Sequence, residues 1–187
     1  MLCETCKLIF VPEQYRLSPE EEKLRYMLHD NRIENEGYVS FLRQAIDPAL
    51  EYIESDMKGL DFGCGPSPVL ATLLGKINIL CGFFDPFFYP AIDNTDFDFV
   101  FSTECVEHFY YPRRTFERID TLIKKGGLLI IMTNLWDDLH DFATWYYKND
   151  PTHVAFYHRE TLYFLAQTFR YDILYNDQKR VVIFRKC

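Results

Sequence analysis

The sequence of 187 residues lacks any apolar run that is long enough to cross a membrane. Its longest run, LLIIM at 128–132, is far shorter than the ~20 residues that a helical span requires. The N-terminal segment MLCETCKLIF has no long apolar stretch after a basic start, so it does not resemble a secretory signal peptide. These absences predict a cytoplasmic protein without a membrane partner.

Basic residues are also in the minority. The chain carries 20 Lys and Arg residues against 28 Asp and Glu residues, a formal net charge of −8. Because proteins bind nucleic-acid phosphates mainly through Lys and Arg, this balance argues against a nucleic-acid partner. Hydrophobic residues make up 48% of the chain, which suffices for a packed core and argues against disorder. The length favours a single domain over residues 1–187.

The six cysteines do not suggest a disulfide framework. Cys64, Cys81 and Cys105 lie in or beside apolar runs, where reduced core thiols are common. Cys3 and Cys6 form a C-x-x-C pair, which supplies only half of the ligands of a structural zinc site. A bound zinc ion is therefore not predicted for this pair, which is interpreted as the remnant of a zinc-binding motif. A zinc ion shared between two chains is the remaining alternative.

Short apolar runs alternate with helical patterns, which is typical of a parallel sheet covered by helices on both faces. Residues 1–57 are predicted as an N-terminal helical cap and residues 58–187 as the core. The last two runs, DILYN and RVVIF, predict an antiparallel C-terminal hairpin. The predicted helices are 18–31, 37–54 with Pro48 breaking or kinking it, 67–74, 112–125 and 159–169, and the predicted strands are 58–62, 77–84, 97–102 and 128–133. Ligands lie beyond the carboxyl ends of such strands, so the loops of interest follow Phe62, Phe84, Ser102 and Thr133.

The stretch GLDFGCGPSP at 59–68 places Gly63 and Gly65 directly after the first core strand. Glycine adopts backbone angles closed to other residues and lets a ligand approach the main chain. Asp85 follows the next strand, where a carboxylate can accept hydrogen bonds from two ribose hydroxyls. Pro68 stands where the dinucleotide fingerprint requires Gly or Ala, and Asp61 would repel a phosphate. The loop therefore favours a nucleoside that carries an ammonium group and no phosphate.

These segments together resemble the motifs of class I S-adenosylmethionine-dependent methyltransferases. LDFGCGPSP resembles their first motif, FFD their second acidic position, DFDFVFSTECVEHF the region of their fourth strand, and LIKKGGLLIIMT the helix and strand that follow. The resemblance covers about 58–133 in order, with Ser67 in place of the third glycine. RYMLHDN and DPTHVAFY resemble segments of an uncharacterised methyltransferase-domain subgroup, which suggests no substrate.

The resemblance implies a Rossmann-like methyltransferase sandwich that binds S-adenosyl-L-methionine. The first loop and its preceding acidic residue would hold the methionine end of this cofactor, the second acidic position would hold the ribose, and the exit of the fourth strand would line the cofactor or the acceptor. The implied cofactor-binding residues are Asp61, Gly63, Gly65, Asp85, Thr103 and Glu104.

The family's third strand is predicted to be missing or vestigial. Only 11 residues separate Asp85 from Phe97, and DPFFYPAIDNT cannot hold the helix, strand and helix that the family usually places there. The adenine contacts that this strand usually provides must come from elsewhere. Phe87, Phe88 or Tyr89 are predicted to stack on the adenine ring.

Two histidines are candidate catalytic bases, His108 in ECVEHF and His153 in NDPTHVAFYH. His108 can equally be a packing residue at a helix start. His153, with Asp150 and Tyr157, belongs to the insertion 134–158, whose aromatic residues are predicted to line the acceptor pocket or simply to pack in the core. His29 is a candidate lid residue, with a plain surface position as the alternative.

A metal site at Glu104, Glu107 and His108 is not predicted, because adjacent side chains are expected to diverge. The sequence thus predicts a methyltransferase that acts on a small-molecule acceptor. A catalytically inactive binding module of the same fold and a small nicotinamide-dependent enzyme are the alternatives.

Overall fold

A six-stranded sheet forms the centre of the computed structural model, which describes residues 1–28, 31–92, 96–138 and 142–187. The strands of this central sheet are β2 (Lys58–Phe62), β3 (Leu80–Phe84), β4 (Phe97–Thr103), β5 (Ile123–Met132), β7 (Tyr171–Asn176) and β8 (Val181–Lys186). β1 (Ile9–Phe10) and β6 (Ala155–Phe156) form a separate two-stranded sheet. The helices are α1 (Pro19–Tyr26), α2 (Glu36–Ala49), α3 (Val69–Gly75), α4 (Pro112–Leu122) and α5 (Arg159–Phe169), with short 3-10 turns at Glu13–Tyr15, Val106–His108 and Tyr146–Asn149.

The strand order in the sheet is β3-β2-β4-β5-β8-β7. The first four strands are parallel, whereas β8 runs antiparallel to both β5 and β7. The predicted fold class, a mostly parallel sheet that ends in an antiparallel hairpin, is therefore confirmed. The ligand edge of the sheet lies at the carboxyl ends of the parallel strands.

The prediction of a missing third strand is also confirmed for the part of the chain that the structure describes. Between Phe84 and Phe97 the described residues form only an isolated bridge, which joins Asp85 to Tyr89. β3 consequently forms an edge of the sheet. Leu80 and Phe83 on this edge are 63% and 42% exposed, which is unusual for large apolar side chains in a strand.

Helices cover both faces of the sheet. Alternate residues of each strand point to opposite faces, so Phe99 and Phe101 of β4 pack with α2 and α3, whereas Val100 packs with α4 and α5. The same alternation places Ile130 and Ile131 of β5 on opposite faces of the sheet. Two apolar layers thus enclose the sheet, and both consist largely of aliphatic and aromatic residues.

The N-terminal 57 residues are less of a separate cap than predicted. The buried face of α2, which includes Leu42 and Ile46, forms part of the core beside the sheet. β1 pairs antiparallel with β6 and so ties the N-terminus to the insertion after β5. α2 includes Pro48 and ends at Ala49, five residues before the predicted end at 54.

The clearest error in the predicted boundaries concerns α4. The helix ends at Leu122, and β5 already begins at Ile123, so Gly126 and Gly127 lie inside the strand rather than at the end of a helix. The register of β4 against β5 shifts between Phe97 and Phe99. Gly126 has a φ of +80°, which fits such an irregular strand and favours glycine. No helix among the described residues is long and apolar enough to span a bilayer.

Candidate active site

A cavity of about 500 Å³ opens at the carboxyl ends of the parallel strands. Its walls come from the loops after β2, β3 and β4, as the topology predicts, and from α1 and α2. The loop directly after Thr133 provides no lining residue among those described; Asp150 and His153 from farther along the same insertion do. The cavity therefore has a glycine-loop side and an acidic, histidine-containing side.

The backbone amides of the glycine loop are already engaged within the protein. The amides of Gly63 and Cys64 donate to the carbonyl of Phe84 at 2.8 and 3.1 Å. The amide of Gly65 donates to Oδ2 of Asp85 at 3.0 Å. A phosphate-binding loop would instead need amides that point at the ligand. This geometry agrees with the prediction of a phosphate-free ligand.

Asp85 lies on the cavity wall and is almost fully buried. Its Oδ1 accepts hydrogen bonds from the amides of Phe87 and Phe88 at 2.8 and 3.2 Å, in addition to the Gly65 bond at Oδ2. The carboxylate thus joins the loops after β2 and β3. A carboxylate offers about four acceptor positions, so roughly one remains for a ligand hydroxyl.

Asp61 does not line the cavity, unlike the other five residues predicted to bind the cofactor. It is 2% exposed beneath the glycine loop, where the backbone amide of Ala71 at the start of α3 donates to its carboxylate. Burial first, and the charge of Asp85 second, raise its pKa to about 7. Direct contact with a ligand remains a prediction for this residue, and its position supports the loop from below.

The three aromatic residues proposed to stack on adenine divide between two surfaces. Phe87 lines the cavity, whereas Phe88 and Tyr89 line a separate apolar groove of about 540 Å³ beside β3. The Tyr89 hydroxyl donates to the carbonyl of Pro66 at 3.1 Å and so braces the glycine loop. Of the three, Phe87 is placed to contact a ligand.

Two glutamates after β4, the half-buried Glu104 and the buried Glu107, form an acidic pair around Tyr147. The Tyr147 hydroxyl donates its single proton to Oε1 of Glu107 at 2.5 Å, and its oxygen lies 3.1 Å from Oε2 of Glu104. Burial, followed by the neighbouring Glu107, raises the pKa of Glu104 to about 8. Burial also raises the pKa of Glu107, which is fully enclosed.

Glu104 has a φ of +45°, a left-handed conformation that is strained for a residue with a side chain. The amide of Glu104 donates to the carbonyl of Met132 at 2.7 Å, which holds this turn against β5. Glu104 and Thr103 both line the cavity, in agreement with the positions implied by the family resemblance. Strain at such a position is typical of functional sites.

The structure brings the two predicted catalytic histidines together. The rings of His108 and His153 lie 4.9 Å apart at their centroids. Nδ1 of His108 donates to the carbonyl of Thr152 at 2.9 Å, and Nδ1 of His153 donates to the carbonyl of Tyr147 at 2.6 Å. Both bonds place the proton on Nδ1 and the lone pair on Nε2. Burial lowers the pKa of His153, which favours its neutral form.

Comparison with known proteins identifies a family for the chain. Residues 31–175 match a family model described as a methyltransferase domain. The chain belongs to this methyltransferase-domain family. No curated protein sequence matches the chain. The family and the fold together identify the chain as an S-adenosylmethionine-dependent methyltransferase.

Two solved methyltransferase structures illustrate the shared fold. One is the 1,6-didemethyltoxoflavin-N1-methyltransferase of Burkholderia thailandensis with bound S-adenosylhomocysteine, which is 14% identical with a TM-score of 0.62 and covers 96% of this chain and 94% of its own. The other is the mitomycin 7-O-methyltransferase, 16% identical with a TM-score of 0.60 over 88% of this chain. This chain spans 60% of the length of the mitomycin enzyme. At these identities the likeness concerns the fold.

Several predicted site residues of this methyltransferase lie elsewhere. Tyr157, predicted to accompany His153, is 1% exposed in the core, and its hydroxyl donates to the carbonyl of Val106. Trp136 packs on His158 outside the cavity, and Tyr146 is 66% exposed. The described Trp, Tyr and Phe residues of the insertion therefore do not line the cavity. The candidate lid residue His29 lies outside the described residues.

The sequence reasoning missed the contribution of α1 to the site. Glu22 and Tyr26, one turn apart on this helix, line the cavity, and the Tyr26 hydroxyl donates to the Glu22 carboxylate. Arg25 forms an ion pair of 3.1 Å with Asp150, which joins α1 to the insertion. The signal was the spacing of Glu22 and Tyr26, because a polar pair four residues apart shares one helix face.

Cys3 and Cys6 remain a pair without further cysteine ligands nearby among the described residues. Hydrogen bonds from the Cys6 and Thr5 backbone lower the pKa of Cys3, whereas burial raises that of Cys6.

Proposed function

We propose that this methyltransferase transfers the methyl group of S-adenosylmethionine to a small molecule that binds beside Glu104, Glu107 and the two histidines. The observation that carries the proposal is a cavity with two chemically different sides at the carboxyl ends of the parallel strands. The net charge of −8 and the polar, acidic side disfavour a nucleic-acid acceptor.

The residues of the glycine-loop side fit the cofactor. Gly65 has a φ of +66°, and a Cβ built on it would meet no atom within 4 Å, so the backbone there is open to a ligand. The engaged loop amides suit a ligand without phosphate. Asp85 would accept from a ribose hydroxyl through its remaining acceptor position, and Phe87 would contact the adenine.

When bound, S-adenosylmethionine supplies a methyl group on a positively charged sulfur, which is already a good leaving group. The protein must therefore mainly align the acceptor and exclude water. α1 and α2 serve the second purpose, because Tyr26 and Tyr38 lie over the cavity.

The histidines define the acceptor side. Because the Nδ1 proton of His153 is engaged by the carbonyl of Tyr147, its Nε2 is the atom that can take a proton or another positive partner. This arrangement suits an acceptor that must lose a proton before or during transfer, such as a hydroxyl group. An acceptor that is already a free amine would need neither histidine.

A turnover assay tests the proposal. The full-length chain, incubated with S-adenosylmethionine and pools of hydroxyl- and amine-bearing metabolites, is expected to form S-adenosylhomocysteine that is detectable by mass spectrometry. His153→Gln is expected to lower the rate at least about tenfold, whereas Glu13→Gln, in an exposed N-terminal turn, is expected to leave it unchanged. Cofactor binding without product across all pools would instead favour a catalytically inactive binding module.

A further inference from the structure

Three metal-ligating side chains converge on the acceptor side of the cavity. One ligand atom from each of Glu107, His108 and His153 lies within 4.8 Å of the other two. Ligand atoms of a tetrahedral zinc ion lie about 3.4 Å apart, so side-chain movements of the order of 1 Å would enclose an ion. The sequence-based expectation that Glu107 and His108 diverge does not hold, because the 3-10 turn at Val106–His108 directs both toward His153.

Two buried carboxylate oxygens beside this cluster have no hydrogen-bond partner. They are Oε2 of Glu107 and Oε1 of Glu104. Glu107 is 0% exposed, and neither glutamate forms an ion pair with a Lys or Arg among the described residues. An unpaired buried carboxylate is costly, and this cost is removed either by protonation or by a bound cation.

The imidazole rings are held as in metal sites. A metal-ligating histidine usually donates its second ring proton to a carbonyl or carboxylate, which fixes the orientation of the ring. His108 and His153 both make such a bond, to the carbonyls of Thr152 and Tyr147. The Tyr147 hydroxyl, in turn, orients the Glu107 carboxylate through Oε1. Each prospective ligand thus has a supporting partner.

We propose that Glu107, His108 and His153 bind a divalent first-row transition metal ion, and that the acceptor is a hydroxyl compound whose oxygen binds this ion. Two imidazoles and a carboxylate suit ions such as Zn²⁺, Mn²⁺ or Co²⁺ better than Ca²⁺ or Mg²⁺, which prefer oxygen ligands. Three protein ligands leave coordination positions open for the acceptor.

The ion would prepare the acceptor for transfer. A metal ion lowers the pKa of an oxygen bound to it, so the hydroxyl releases its proton to solvent near neutral pH. The acceptor oxygen then forms a bond to the methyl carbon while the carbon–sulfur bond breaks, and the electron pair of that bond stays on sulfur. The histidines then act as ligands instead of bases. This inference rests on the proposed function for its acceptor, but the ion can be tested alone.

Metal binding is measured on the full-length chain after chelator treatment, by calorimetry and by the visible absorption of added Co²⁺. One ion per chain is expected. Glu107→Gln and His153→Gln are each expected to weaken binding at least about tenfold. Glu13→Gln, in an exposed N-terminal turn that does not line the cavity, should leave binding unchanged. Thermal unfolding of each variant shows whether it is folded.

A Cys3→Ser/Cys6→Ser variant separates this site from the thiol pair. Retained binding in that variant supports the proposal, whereas loss there with unchanged binding in His153→Gln overturns it. Absence of Co²⁺ binding by the folded wild-type chain also overturns it. S-adenosylmethionine titrated in parallel distinguishes the two claims: cofactor binding without metal binding refutes the metal site alone, and metal binding without cofactor binding refutes the proposed function alone.

Discussion

At the scale of single residues, two neighbouring acidic side chains at the ligand edge have different surroundings. Asp85 accepts three backbone hydrogen bonds on the cavity wall, whereas Asp61 lies beneath the loop with one backbone amide as its partner. Asp85 therefore connects two loops and remains available to a ligand. Asp61 instead carries an electrostatic cost that depends on pH.

Asp61 should make the free protein less stable as the pH rises. Its ordinary pKa is 3.8, and burial raises the folded-state pKa to about 7. Between these values the folded state holds a proton that the unfolded state has released, so this contribution to stability is complete below pH 3.8 and is lost as the pH rises through about 7. Asp61→Asn should therefore be more stable than wild type at about pH 8, by of the order of 3 kcal/mol, and similar near pH 4. Urea unfolding across this range measures the difference.

Asp98→Asn provides a control of opposite sign. Although burial alone would raise the pKa of Asp98, hydrogen bonds from Lys124 and the Lys58 backbone lower it. Its contribution to stability is present at neutral pH and is lost as the pH falls, so Asp98→Asn should be destabilised at neutral pH. An equal pH dependence in wild type and Asp61→Asn would show that Asp61 does not titrate as stated.

Some site residues were predictable from the sequence and others were not, for identifiable physical reasons. Gly65 and Asp85 follow apolar strands directly, so a local pattern places them at the ligand edge. The positive φ of Glu104 and the meeting of His108 with His153 depend on how distant segments pack. Tyr157 was assigned to the site on its nearness in sequence to His153, but strand pairing in β6 directs it into the core.

At the scale of elements, the turn between β2 and α3 fits closely against the turn after β4. A Cβ added to Gly63, which has a φ of +88°, would lie 2.0 Å from Sγ of Cys105. The same addition at Gly65 would meet nothing within 4 Å. Glycine is therefore needed at these two positions for different reasons: Gly63 lets the two turns pack against each other, and Gly65 leaves the cavity wall open.

Alanine substitutions should separate these two roles. Gly63→Ala combines a left-handed backbone with a steric clash and should destabilise the protein by several kcal/mol, on the order of 3. Gly65→Ala should cost only about 1–2 kcal/mol for the backbone, while weakening cofactor binding. Denaturant unfolding and calorimetry measure the two effects. Cys105→Ala should partly restore stability in Gly63→Ala, and equal losses for both glycines would contradict this account.

The order and type of the elements followed from sequence periodicity, whereas some boundaries did not. α5 occupies the predicted residues 159–169, because its amphipathic pattern is long and its ends are clear. β5 starts at Ile123 rather than 128, because pairing with β4 extends the strand through residues whose local sequence favours the end of a helix. Tertiary pairing decided this boundary, and one sequence does not contain that information locally.

At the scale of the whole molecule, the loss of the third strand has two consequences. The proposed adenine contact falls to Phe87 in the short loop after β3, and an apolar edge with Leu80 and Phe83 is left exposed. Helix α1 supports this loop, because the Tyr26 ring lies 5.8 Å from that of Phe87, and Glu22 and Tyr26 both line the cavity. The whole chain, rather than the sheet alone, therefore forms the binding site.

The measurement that tests the central claim most directly is a calorimetric titration of the full-length chain with S-adenosylmethionine. We expect one molecule bound per chain and binding at least about tenfold weaker in Asp85→Asn, which retains the shape of the side chain but not its charge. NADH should not bind. Absence of heat with S-adenosylmethionine and with S-adenosylhomocysteine, or unchanged affinity in Asp85→Asn, would contradict a nucleoside site formed by the glycine loop and Asp85.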